Sequence, residues 1–173
     1  ELLQNILLWD ITQDGNLKFN PKNIDLGDTA EESLLMLKTV ADKKNISIIN
    51  GIQKGSFVFA DKDMTDTIFR NIISNALKFT DTGGKIVLNS SKKDMYLKIS
   101  IMDTGQGMPE QILKHIFEPD KRSPNEVRVK ESGTGLGLVL CKEFVEKNGG
   151  SIEIQSQLMK GTTVIFTLPL FPS

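Results

Sequence analysis

Asn71, Asn75, Lys78 and Phe79 fall in one stretch, Asn71-Ile-Ile-Ser-Asn75-Ala-Leu-Lys78-Phe79-Thr80. On a helix these four positions share a face. Two carboxamides, an ammonium and an aromatic ring then lie side by side. A carboxamide oxygen is a neutral, hard ligand that suits Mg²⁺, which takes oxygen ligands octahedrally and keeps waters while bridging substrate phosphates. Lys78 offers a compact charge to a phosphate oxygen. The plain alternative is a helix with a solvated Asn and Lys and a core Phe.

Three further stretches carry chemistry. Asp103-Thr-Gly105-Gln-Gly107-Met108 follows an apolar strand. A carboxylate at a strand end can accept a hydrogen bond from an exocyclic amine, and two glycines permit positive φ and close approach to a flat ring. A tight turn is the bland reading of the same residues. Gly133-Thr134-Gly135-Leu136-Gly137-Leu138 opens an amphipathic helix. Glycines there expose N–H groups at a positive dipole end, which suits phosphate. A flexible hinge is the alternative. It is not a dinucleotide fingerprint, which would need glycine at Leu138, nor a P-loop, since no Gly-Lys-Ser/Thr triplet occurs. Lys160-Gly161-Thr162-Thr163 reads by itself as an ordinary hairpin turn.

The elements that must position these residues follow from periodicity. Leu2, Leu3, Ile6 and Leu7 have helical spacing in the segment that ends near Trp9, and Asp14-Gly15 breaks it. Asn20-Pro21 is a second turn signal. A helix is expected from Asp28 to Lys44, capped by Asp28 or Thr29, with Leu34, Leu37 and Ala41 as its stripe. Ile46–Ile49 and Phe57–Ala60 read as strands. Asp61 can cap the helix that carries Ile68, Ile72, Asn75 and Phe79. Lys85–Ser90 and Tyr96–Met102 alternate as strands, and Pro109 starts a short helix. Residues 118–132 are polar and aperiodic, as a lid or a disordered segment would be. Helix Leu136–Lys147 stops at Asn148-Gly149-Gly150, and Ile152–Ser156 and Thr162–Leu168 close the chain. This order is not the regular strand–helix alternation of a doubly wound sheet. It predicts an α/β (α+β) two-layer sandwich: a mixed, mostly antiparallel sheet of about five strands with three main helices on one face.

Composition narrows the classes. The 173 residues suit one domain. A net charge of -1 gives no basic excess for a nucleic-acid partner. One cysteine, Cys141, and one histidine, His115, exclude a disulfide framework and a Cys/His zinc site. No apolar run approaches the roughly 20 residues of a membrane helix, and no signal peptide is visible. The chain begins at Glu1 in mid-helix, without Met, as an excised fragment would.

Together the stretches resemble the ATP-binding domain shared by gyrase, heat-shock 90 chaperones, histidine kinases and MutL, and most closely its histidine-kinase branch. Asn71–Thr80 is similar to the N box and Asp103–Met108 to the G1 box. His115-Ile-Phe117-Glu118-Pro119 is similar to the F box and Gly133–Leu138 to the G2 box. The resemblance runs from Ile24 to Pro169. Leu7-Leu8-Trp9 and Phe19-Asn20-Pro21 resemble the junction with the family's dimerisation helix. That implies residues 1–22 as helix end and linker and 23–173 as a Bergerat-type catalytic domain.

The resemblance implies roles for single residues. Asn75 would bind Mg²⁺, and Asn71 and Lys78 would contact the phosphates. Asp103 would receive the adenine amine, Phe79 would lie against the ring, and Thr162 would sit near them. Gly105, Gly107 and Met108 would line the base site. Gly133, Thr134, Gly135, Leu136, Gly137 and Leu138 would wrap the triphosphate. Among the lid cations Lys121, Arg122, Arg128 and Lys130, one would touch the γ-phosphate; Arg122 is the catalytic candidate. The hydrolysing branches place a base, Glu, where this chain has Asn71, which argues for phosphoryl transfer. Met159 stands where the family often has Gly in a third glycine motif.

The family's phosphoacceptor is a histidine on the dimerisation helix, and His115 reads as structural. The implied whole is a cytoplasmic, homodimeric sensor histidine kinase using ATP and Mg²⁺. It would pass the phosphoryl group from its own phosphoacceptor domain to a response-regulator receiver. The fragment alone would bind ATP without autophosphorylating. An ATPase module, a protein serine kinase of the anti-sigma or mitochondrial dehydrogenase-kinase type, and a degenerate docking domain are the competing readings.

Overall fold

The computed structural model describes residues 18–118 and 136–171. The segment 1–17, the lid stretch 119–135 and the last two residues lie outside the described residues. So do the calls made on them: the helix end around Trp9, the cations Lys121, Arg122, Arg128 and Lys130, and Gly133, Thr134 and Gly135.

The first described strand, β1 (Pro21–Asp25), runs without a loop into helix α1 (Leu26–Lys43). Asp25 joins them. It keeps extended backbone while its side chain accepts from the Gly27 amide at 2.8 Å and the Gly55 amide at 2.6 Å. Helix α1 therefore starts before the expected caps, Asp28 and Thr29, and Thr29 is buried in its first turn. An N-cap needs extended dihedrals and a short acceptor, and Asp25 supplies both. Ala41 of the expected stripe is buried, and Leu34 and Leu37 pack against the core.

Strands β2 (Ser47–Asn50) and β3 (Phe57–Asp61) follow, then helix α2 (Lys62–Phe79), capped as expected by Asp61, which accepts from the Met64 amide at 3.1 Å. The hairpin β4 (Lys85–Lys93) and β5 (Tyr96–Asp103), the short helix α3 (Glu110–Lys114), helix α4 (Leu136–Lys147) and the hairpin β6 (Ile152–Gln157) and β7 (Gly161–Pro169) complete the order.

The main sheet has five strands in the order β2-β4-β5-β7-β6. Among the described residues its β2–β4 pairing is parallel and the rest are antiparallel. This is the mixed α+β sandwich that the sequence predicts. Strand β1 was not expected. It pairs antiparallel with β3, Pro21 opposite Asp61 and Asp25 opposite Phe57, as a separate two-stranded sheet. The boundary expected between residues 22 and 23 falls inside it.

Alternation puts Ile86 and Leu88, Leu97, Ile99 and Ile101, and Val164, Phe166 and Leu168 into the core. They meet Ile68, Phe69, Ile72, Ile73, Ala76 and Leu77 of α2 and Leu140, Phe144 and Val145 of α4. Phe69 and Phe166 meet edge to face at 5.6 Å between centroids, a geometry worth about 0.5–1.5 kcal/mol beyond burial. Strand β5 is central, and its last residue, Asp103, lies between Ile86 of β4 and Thr162 of β7.

Candidate functional site

Helix α2 turns its apolar positions inward, which leaves Asn71, Asn75 and Lys78 half-buried along one edge. The Asn71 amide nitrogen donates to the Thr67 carbonyl at 3.1 Å. The Lys78 ammonium lies 4.9 Å from the centroid of the Phe79 ring. That ring stays 41% exposed at the helix end, large apolar surface with no core to enter.

Asp103 meets this helix end. Its carboxylate is buried, and Oδ1 accepts from the Gly105 amide at 2.8 Å and the Thr162 amide at 3.2 Å. The β5–β7 register sets Asp103 directly opposite Thr162, as the resemblance implied. With both backbone donors on Oδ1, the other oxygen is the acceptor left for a ligand. Burial pushes the Asp103 carboxyl above its ordinary value near 3.8, against the two backbone donors, which pull it down.

The glycine turn is built for close approach. A Cβ on Gly105 would stand 2.3 Å from the Phe79 carbonyl oxygen and 2.9 Å from Asp103 Oδ1. Gly107 has φ +65°, and a Cβ there would stand 2.0 Å from the Gln157 carbonyl. The Gln106 amide donates to the Phe79 carbonyl at 3.1 Å, which ties the turn to the end of α2. Met108 is anchored from the other side, its amide donating to Ser156 Oγ at 2.9 Å. Ser156 Oγ in turn bonds Thr162 Oγ1 at 2.9 Å. Phe79, Asp103, Gly105, Gly107, Met108 and Thr162 thus form one cluster.

Helix α4 runs antiparallel to α2. Cys141 Sγ is 3.9 Å from the Ile68 carbonyl, and Asn148 Oδ1 accepts from the Asp61 amide at 2.7 Å. The same pairing places the start of α4, half-buried Leu136, Gly137 and Leu138, level with the Asn71–Asn75 turn of α2. The first N–H groups of a helix have no intrahelical partner, and those of α4 lie at the level of the two carboxamides, where a phosphate would suit them.

This arrangement fits an adenine nucleotide. A buried carboxylate and an exposed ring beside a glycine cradle suit the base. The α2 edge and the α4 terminus suit phosphates. Among the described residues no group of three or more His, Cys, Asp or Glu is placed to hold a metal ion. The donors present are carboxamides, which suit Mg²⁺ completed by phosphate and water.

His115 follows α3, and its Nδ1 lies 3.2 Å from Glu118 Oε2. Phe117 lies under the Lys142 ammonium at 5.4 Å, which joins this turn to α4. Met159 has φ +62°, so the turn keeps the left-handed backbone that glycine would adopt freely. Sequence reasoning missed Ser156, whose hydroxyl spans the turn, and Lys44. Neither sits in a motif, and only tertiary structure brings them to the site.

The model of the histidine kinase-, DNA gyrase B-, and HSP90-like ATPase family matches residues 60–172. The adaptive-response sensory kinase SasA of Prochlorococcus marinus (strain MIT 9303) is 37% identical over 155 residues, 88% of this chain and 42% of that protein. The chain thus spans less than half the length of this relative. Among solved structures, the nucleotide-free catalytic domain of the histidine kinase ThkA superposes with a TM-score of 0.74 at 25% identity. The match covers 88% of this chain and 96% of that one. ThkA in complex with the response regulator protein TrrA superposes with a TM-score of 0.74 at 21% identity, covering 97% of this chain and 48% of that one.

Proposed function

This chain belongs to the histidine kinase-, DNA gyrase B-, and HSP90-like ATPase family, and from that premise we propose that it is the ATP-binding catalytic domain of a sensor histidine kinase. The observation that carries the reading is the buried Asp103 carboxylate, held by two backbone donors beside the exposed Phe79 ring. Such an acceptor takes the adenine amine and rejects guanine, which has a carbonyl at that position. Thr162 and Met108 frame the base, and Gly105 and Gly107 let the backbone approach it.

Lys78 and Asn71 bind phosphate oxygens, and Asn75 holds Mg²⁺, which neutralises phosphate charge when bound. Gly133, Thr134, Gly135, Leu136, Gly137 and Leu138 lend N–H groups to the phosphates, and Arg122 or a neighbouring lid cation meets the γ-phosphate. Catalysis is then positioning and electrostatics: the domain presents the γ-phosphoryl group in line with a histidine on the dimerisation domain of the longer protein. SasA is a sensory kinase, and ThkA is seen with a response regulator. By analogy the phosphoryl group here passes to a receiver aspartate, within a homodimeric cytoplasmic kinase. Residues 1–22 would be the end of the dimerisation helix and its linker and residues 23–173 the catalytic domain, the linker entering it through Pro21 and Lys22 of β1. Among the described residues no helix is long and apolar enough to cross a membrane.

Asn71 separates this reading from an ATPase of the same family. It lies one turn before Asn75, and a carboxamide cannot take a proton from water. The test is γ-labelled ATP with this chain and the histidine-bearing dimerisation domain of its parent. Label on that histidine, and none on the chain alone, is the expected result. Steady-state hydrolysis by the chain alone, or label on a serine, would overturn it.

A further inference from the structure

Lys44 follows α1, and its ammonium donates to three carbonyls of one helix end: Leu77 at 2.7 Å, Lys78 at 3.1 Å and Thr80 at 2.8 Å. The last carbonyls of a helix have no intrahelical partner and carry partial negative charge. Many helices satisfy them by closing on a left-handed glycine. Helix α2 does not. Its last turn passes into Thr80, which is buried and extended with φ -88° and ψ 130°. The three donors of one ammonium take over the closing role. The backbone of Lys44 works on the same turn, its carbonyl accepting from the Gly83 amide at 2.9 Å.

Between these anchors lies Phe79. Its carbonyl receives the Gln106 amide, and Gly105 packs against it. The phosphate side of the site, at Lys78, and the base side, at Asp103, meet across this one peptide. We propose that Lys44 is a positioning residue for the nucleotide site: it fixes the end of α2 against the Asp103–Gly107 turn. The Phe79 ring and the Lys78 ammonium thereby keep their places relative to the Asp103 carboxylate. The nucleotide part of this inference rests on the function proposed above; the positioning part does not.

Two readouts on Lys44→Met, which keeps the aliphatic stem and loses the donors, test it well below the melting temperature. Exchange of the Gln106 amide should accelerate beyond the change in global stability. Affinity for a non-hydrolysable ATP analogue should fall about tenfold, the order that one lost hydrogen bond is worth. Lys44→Arg, with donors restored, should recover most of both. A variant that melts earlier yet keeps wild-type affinity and wild-type Gln106 protection would overturn the inference and leave Lys44 a plain helix cap. Should Lys44→Met not fold, Lys44→Gln, which keeps two donors, is read in the same two ways. If the wild type binds no adenine nucleotide, the functional reading fails, and Gln106 protection still decides the role of Lys44.

Discussion

Asp103→Asn separates binding from folding, because the two respond to the carboxylate in opposite directions. The substitution preserves shape. The remaining carbonyl oxygen can still accept from the Gly105 and Thr162 amides, now at 2.8 and 3.2 Å. The other oxygen becomes an amide donor that would face the donor amine of adenine. Losing a charge-assisted bond and leaving a buried donor unmatched cost together about 3–5 kcal/mol, or roughly 10²–10⁴-fold in Kd. The fold loses nothing comparable, since the variant no longer buries a charge.

The same residue predicts a pH dependence. The folded pKa of Asp103 is raised by burial, so the fold binds the proton more tightly than the unfolded chain does. Its stabilising contribution is complete below the ordinary carboxylate value and is lost as pH rises through the folded pKa. Asp103→Asn lacks this loss, so its stability relative to wild type should increase with pH across the acid range. Calorimetric titration with an ATP analogue gives the affinity, and denaturant melts at several acid pH values give the stability. A variant that binds like wild type would refute the role of the carboxylate in base recognition. A variant that unfolds would make Asp103 a structural residue.

Other perturbations follow from the geometry. Gly105→Ala places a methyl 2.3 Å from the Phe79 carbonyl oxygen; overpacking of this kind costs about 1–3 kcal/mol and should abolish base binding, read by titration and thermal melts. Met159 is 78% exposed with φ +62°. Met159→Gly should therefore keep or slightly raise stability in denaturant melts, whereas Met159→Val, β-branched in a left-handed position, should lose about 1–2 kcal/mol. Asn75→Ala should remove the Mg²⁺ dependence of nucleotide binding while base selectivity remains, measured by titration with and without Mg²⁺.

What the sequence disclosed was periodic. The helical spacing of Asn71, Asn75, Lys78 and Phe79 set one edge of α2, and alternation along β4 and β5 set their core face. What it hid was non-local. Strand β1 has one buried residue, Ile24, and its partner β3 lies some thirty residues on, so no period marked it. The start of α1 was misplaced because Asp28 and Thr29 are also good cap residues and nothing local favours Asp25 over them. Its role is fixed by Gly27 and by Gly55 across the fold. Asn148 read as a helix stop, and it is also the acceptor for the Asp61 amide that docks α4 on α2. Lys44 was one lysine among several until three carbonyls converged on it.

The measurement closest to the central claim is calorimetric titration of the chain with non-hydrolysable ATP and GTP analogues in Mg²⁺. The account predicts that the adenine analogue binds and the guanine analogue does not. Equal binding of both would contradict base recognition by Asp103. No heat with either would leave a degenerate fold whose function lies in what it docks against.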